Sequence, residues 1–347
     1  RVGFRDGTEG LVQQAAIPSD FKEKQHRAVI SAIFSIRTML IRISLLPVIL
    51  TLAMAGAAHA QTYRFLNVPF HARSAALGGA PVALPDAGVG MMHANPAYLN
   101  ADHHRQASFS VARQIEGTRF ASAHAAWHVD GWGTLGAAVR HVSYGDLRRR
   151  DADGADLGGF SASDMAIKTA FSAQVGPSLR YGIALDLLHS DYTHVRSTAW
   201  AASAGLLAHL PDASVLGLSV LNAGSQIRTF DGEEEALPMD VRLGYSRRLQ
   251  YLPFRFSITA QRLHDPDLRH PLNHLQAGGE FLFGSNVQIR FGYDHRLREQ
   301  LRFEDRIDLA GYSMGAGFRI KGVRMDLSRV SYSQVGTMLH IGTDVHF

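Results

Sequence analysis

The chain has 347 residues, with 35 Lys and Arg against 31 Asp and Glu, and no cysteine. Removing the 7 basic and 4 acidic residues of positions 1–60 leaves 28 and 27, so the basic balance of the whole chain is not a nucleic-acid signal, and no nucleic-acid partner is expected. No apolar run reaches the ~20 residues of a spanning helix, which excludes a helical inner-membrane protein, and stability must come without disulfides.

Residues 1–38 contain no Met and read as a non-native upstream extension, with Met39 as the natural start. Arg37 and Arg42 then precede an apolar run from Ile43 to Ala55 and the small-residue site Ala58-His59-Ala60. That order is the basic region, apolar region and cleavage site of a secretory signal. Residues 39–60 are therefore expected to leave after Ala60, making Gln61 the first mature residue. A retained anchor is the alternative, disfavoured by Pro47 and the short run.

Residues 61–106 are not strand-like throughout. Ala72 to Leu77 predicts a short helix, which Gly78-Gly79 would end. Asn95 before Pro96 favours an extended or turn conformation. This segment is expected to fold back inside a barrel formed by the rest of the chain.

From 107 to 347 the chain reads as strands with two faces. Phe254, Phe256, Ile258 and Ala260 alternate with Arg255, Ser257, Thr259 and Gln261; Val287, Ile289 and Phe291 alternate with Gln288, Arg290 and Gly292. Strands are expected at about 107–113, 117–128, 132–143, 163–175, 178–190, 197–209, 214–222, 239–249, 253–263, 273–283, 286–295, 308–319, 323–330 and 336–347. The gaps alternate short and long. Short ones include Asp130-Gly131, Gly176-Pro177, Gly284-Ser285 and Lys321-Gly322; long polar ones span 145–162, 223–238, 264–272 and 295–307. A soluble sandwich has no reason to sort its loops by parity, whereas an outer-membrane barrel has short periplasmic turns and long outside loops. The fold expected is an all-β transmembrane antiparallel barrel of about 14 strands with a luminal N-terminal plug segment. Leu339, Ile341, Thr343, Val345 and Phe347 share one face of the last strand. A terminal aromatic there, with Val345, resembles the signal read by the barrel-assembly machinery. Trp127, Trp132, Tyr144, Trp200 and Tyr251 near strand ends fit interfacial girdles.

Arg73-Ser74, Leu77-Gly78-Gly79, Asp86 and Asn95-Pro96-Ala97, after the opening Phe65-Leu66-Asn67-Val68-Pro69, resemble the PorV/PorQ family of type IX secretion proteins, relatives of FadL-type barrels. The opening is closer to PorQ. The resemblance implies an outer-membrane component that attaches exported proteins to the cell surface. It also implies other secretion or surface-attachment proteins as partners, beside outer-membrane lipids. A FadL-like channel for hydrophobic small molecules is the alternative, and an apolar lumen of ~300 Å3 or more would mark it. The motif itself reads as structural, since paired glycines permit positive φ and close backbone approach.

No enzyme signature is present: the sequence carries no cysteine nucleophile, Walker loop, G-x-S-x-G or H-E-x-x-H. No cofactor and no metal are expected. Adjacent His103 and His104 would point to opposite faces of a strand. His264, His270 and His274 with Asp265 and Asp267 match no metal-site spacing. Arg148, Arg149 and Arg150, followed by Asp151, Asp153 and Asp156, miss the calcium-loop pattern. That stretch and Glu233, Glu234 and Glu235 read as mixed-charge loops available to a partner.

Overall fold

The computed structural model describes residues 63–347 apart from 80, 115–116, 151–152, 154–155, 193–194, 231, 233, 266–269, 302–307 and 334–335. The signal segment, the upstream extension and Glu233 lie outside the described residues. So do the side chains of Arg149 and Arg150.

Fourteen strands close into one barrel. They are β1 (Gln106–Arg113), β2 (Arg119–Val129), β3 (Gly133–Arg150), β4 (Asp156–Val175), β5 (Leu179–Tyr192), β6 (Val195–His209) and β7 (Ser214–Arg228). β8 (Asp240–Arg248), β9 (Phe254–Ala260), β10 (Leu275–Phe283), β11 (Val287–Asp294), β12 (Tyr312–Ile320), β13 (Val323–Ser331) and β14 (Thr337–His346) complete it. Each pairs antiparallel with its successor, and β1 closes against β14 through Gln106 opposite His346 to Arg113 opposite Leu339. Closure leaves no unpaired edge, which a bilayer requires of a strand protein. No helix of the described residues is long and apolar enough to cross a membrane.

Alternation assigns the faces. Ile289 and Phe291 are exposed, while Gln288 and Arg290 between them are buried. Leu185 and Leu187 point out, and Ala184, Asp186 and Leu188 point in. The outward apolar residues meet lipid; the inward ones are small or polar. Outward Trp127, Trp132, Trp200 and Tyr251 sit at exposed positions. Tyr144 differs from the expected girdle role: its hydroxyl donates to Asp164, and it packs beside buried Val142 and Leu188 inside the barrel.

Two expected long loops are partly strand. β3 runs on to Arg150 and β4 begins at Asp156, so Arg148 to Arg150 end a strand rather than forming a loop. β7 likewise continues to Arg228. Neither extension carries the apolar alternation of the lipid-facing strands in its sequence. The register shifts between Ser143 and Asp146, where Gly145 has φ 77°. That step is a bulge, which adds twist and re-aims the chain. In the 295–307 gap, His295–Leu301 forms a short helix.

The segment before β1 contains the expected short helix, α1 (Ala72–Ala76), capped at its start by the His71 side chain. Gly78 and Gly79 follow at φ 86° and 133°, a region that glycine enters without a Cβ clash.

Candidate functional site

Residues 63–105 contact inward-facing groups around the barrel. Ser110 Oγ donates to the Phe70 carbonyl at 2.7 Å, His340 bonds the Pro69 carbonyl at 3.1 Å, and Ser246 donates to the Ala83 carbonyl. Apolar contacts accompany them: the Phe70 and Phe120 rings meet edge-on at 5.5 Å. Met92, Leu99 and Val89 cluster with inward Ala126, Ala138, Ala170 and Ala184. Small inward residues are what let this segment lie against the wall. A Cβ at Gly292 of β11 would collide with the Gly78 nitrogen, and one at Gly205 of β6 with Asn95 Oδ1.

The family-motif residues fall together in this segment. Ser74 donates to the Gly79 carbonyl, closing the turn after α1. Asn95 accepts from Ala97 N at 3.0 Å and donates to the carbonyls of Val82 (2.9 Å) and Leu206 (3.0 Å), joining two stretches of the segment to β6. Pro96 starts a short 3-10 turn with Ala97, and Leu77 is buried. Arg73 is 1% exposed. Its Nε and Nη2 each reach Glu280 of β10 at 2.9 Å, while Nη1 and Nη2 reach the Asp86 carbonyl and carboxylate at 2.7 and 2.8 Å. Glu280 also accepts from Arg290 Nε at 2.7 Å and Arg255 Nη1 at 3.1 Å, and Arg290 continues to Asp326 at 2.6 Å. This network lies toward the short-turn, periplasmic end. Asp86 is enclosed by charged neighbours, yet its side chain keeps 53% of its exposure, so it faces hydrated space. Burial alone would raise its pKa; the Arg73 and Arg255 guanidiniums outweigh that and hold the carboxyl well below the usual range.

A second inward group sits higher. Arg140 and Lys168 share Asp186, and Arg140 also lies over the Phe70 ring at 5.4 Å. His71, His93, Arg140, Lys168, Asn222 and Arg242 border a luminal cavity of about 30 Å3, room for little more than water. Larger hollows lie at the ends. One of about 630 Å3 is a crevice between the periplasmic turns around Asp212 and Tyr251. The other, about 220 Å3, is polar and lies at the outer mouth, beside His270, His274, Arg296 and Glu299. None is an enclosed apolar chamber.

The histidine readings resolve individually. His103 is buried and His104 is not. His103 Nδ1 accepts from Asn100 N at 3.2 Å and Nε2 faces the Ala87 carbonyl at 3.0 Å, completing a capping box. Burial pushes its pKa down to about 4, against the upward pull of the Ala87 carbonyl. Among the described residues, one group has metal-ligand proximity: His71, Asp326 and Asp344. Its carboxylates are already engaged, Asp326 by Arg290 and Arg324 and Asp344 by His71 within the group.

Glu234 and Glu235 lie in the irregular stretch before β8, where Glu235 N donates to Gln226 at 2.7 Å. Arg148 is exposed at the far end of β3. The structure does not bring these residues to the luminal network. Phe347 is exposed beside Trp127, ring centroids 6.4 Å apart, and its N donates to the Arg105 carbonyl at 2.9 Å. Glu280, Arg255 and Asp326 were not singled out from sequence. Their one signal was a charge recurring at inward positions of otherwise apolar strands.

No protein-family model matches the chain, and no curated protein matches it in sequence. Solved structures are similar in fold. The Ralstonia pickettii toluene transporter TbuX aligns at TM-score 0.54 and 14% identity, over 82% of this chain and 100% of that one. The Pseudomonas putida toluene transporter TodX aligns at 0.52 and 12%, over 80% and 96%. A Pseudomonas aeruginosa FadL homologue aligns at 0.50 and 8%, over 80% and 98%. The chain is an outer-membrane β-barrel of FadL-like fold.

Proposed function

We propose that this barrel is a channel for hydrophobic small molecules, non-enzymatic, with the segment 63–105 as its gate. The observation that carries this reading is the fold correspondence with toluene transporters over nearly their whole length, 96–100% of each. The cavity bordered by the segment, His93, Arg140 and Lys168 measures about 30 Å3, far below the ~300 Å3 of a small-molecule site. Passage therefore requires the segment to shift. What holds it is in part polar, the Arg73–Glu280–Arg255 network, beside apolar contacts such as those of Val89, Met92 and Leu99, and polar contacts re-form with water more readily than apolar ones. Uptake of a monoaromatic hydrocarbon by cells carrying the barrel, against cells lacking it, tests the reading. Uptake no faster than in cells lacking the barrel overturns it.

The small size of that cavity favours a second reading, a plugged barrel that anchors surface proteins in type IX secretion, as the motif resemblance implies. The fold comparisons lend that role no support. Pull-down of surface proteins that depends on the stretch around Glu234 and Glu235, without hydrocarbon uptake, would favour it.

A further inference from the structure

The outer face of the wall changes character on β13, β14, β1 and β2. Along the lower part of these strands the outward residues are apolar: Met325 and Leu327, Ile341, Phe109 and Val111, Ala121 and Ala123. One row higher stand three exposed arginines. Register aligns Arg329 with Leu339, Leu339 with Arg113, and Arg113 with Arg119. None of the three forms an ion pair with a described residue. In the row beneath, Leu327, Ile341, Val111 and Ala121 are joined by one polar group, His141.

Two features of this row call for an anion. Like charges directly opposite on neighbouring strands lie ~5 Å apart and repel, and among the described residues no carboxylate pairs with Arg113 or Arg119 where they face each other. The height is also specific. Leu339 lies eight residues above Phe347, ~27 Å along the strand and ~20 Å in height at a barrel tilt of 35–45°. Arginine side chains snorkel further outward, to the upper edge of the ~25 Å apolar band. That is where outer-leaflet headgroups begin.

We propose that Arg113, Arg119 and Arg329 form a binding site for a phosphorylated glycolipid of the outer leaflet. The Arg113–Arg119 pairing brings two arginines to one phosphate, and each guanidinium can bind phosphate bidentately. Arg329, two strands or ~10 Å along the row, takes a second anionic group of the headgroup. Beneath Arg119 the outward Ala121 and Ala123 form a shallow track between Phe109 and Val111 on one side and Val139 on the other. An acyl chain fits along it. The site is independent of what the lumen does.

The test uses the purified full-length barrel, native mass spectrometry, and bisphosphorylated lipid A beside a dephosphorylated analogue with the same acyl chains. The wild type is expected to retain the phosphorylated lipid through detergent exchange at least about tenfold better than the analogue. A combined Arg113→Gln, Arg119→Gln and Arg329→Gln variant should lose that preference. Arg148→Gln, outside the row, should keep it. Heat-modifiable mobility on gels establishes that each variant is folded; if the combined variant is not, Arg113→Gln alone is read in its place. Equal retention of the two lipids by the wild type, or undiminished retention by the folded variant, overturns the proposal.

Discussion

Glu280 is the hub of the luminal network, and Glu280→Gln against Arg73→Gln shows whether the network works as described. The glutamate is 1% exposed and receives four N–H contacts from three guanidiniums, at 2.7 to 3.1 Å. Replacing it with Gln removes the charge all three share and turns an amide NH2 toward cations. Stripping one partner from a buried pair costs ~3–5 kcal/mol. Here each cation keeps another acceptor: Arg73 and Arg255 keep Asp86, and Arg290 keeps Asp326. The loss should therefore sit near the lower end, ~3 kcal/mol. Arg73→Gln is milder, because Glu280 keeps Arg255 and Arg290. What is lost is a set of charged hydrogen bonds, part of it to the half-exposed Asp86 and so screened by water, ~1–2 kcal/mol in all. In the double variant the excess cation is gone, so the two effects should fall short of adding by ~1 kcal/mol or more. Urea unfolding in lipid vesicles is the assay, followed by fluorescence of Trp127, Trp132 and Trp200 on the wall. Arg73→Gln costing as much as Glu280→Gln, or strict additivity, would refute the hub.

Three further outcomes are expected. Ile289→Arg should lower folding yield by the equivalent of ~2–4 kcal/mol while Gln288→Arg is tolerated, since the first faces lipid and the second the lumen; equal yields in a vesicle-folding assay would put the register wrong by one residue. Gly205→Val should push the Asn95 turn off β6, read as faster proteolysis within 81–99 with the barrel still heat-modifiable; unchanged cleavage counts against that contact. His103 holds its proton less firmly folded, at about 4, than unfolded, near 6.5. The unfolded chain thus binds more protons across that window, so stability rises with pH there and is lost as pH falls from ~6.5 toward ~4, by up to ~3 kcal/mol. A His103→Gln variant should lose less stability than the wild type over the same fall; parallel pH profiles would exclude His103 as the source.

The wall was readable because a bilayer imposes a period. Val287 to Tyr293 must alternate, since one side meets lipid and the other does not, and a two-residue period survives any choice of particular side chains. The same logic located all fourteen strands and failed only where lipid ends. Residues Gly145 to Arg150 belong to β3, but the register break after Ser143 and the run Arg148 to Arg150 interrupt the alternation that would have said so. Tyr144 was misread for a related reason: an aromatic near a strand end suits a girdle, and only parity against Asp164 turns it inward.

The interior was less readable, and the reason lies in how its charges are matched. Arg290 was recognisable as inward from its strand. That Glu280 and Asp326 complete it comes from strands closing side by side, because Glu280 and Arg290 are direct cross-strand partners. Arg73 lies 207 positions before Glu280, on a segment with no strand period to place it. An inward charge that faces water in an open pore and one that faces another charge in a filled barrel leave the same mark on the sequence, a polar residue at every second position. What separates the two is the small inward residue opposite: Gly292 and Gly205 admit the backbone of 63–105, and a side chain there would have kept it out. The close approach of 63–105 to the wall is thus encoded in absent side chains, and these carry no period of their own.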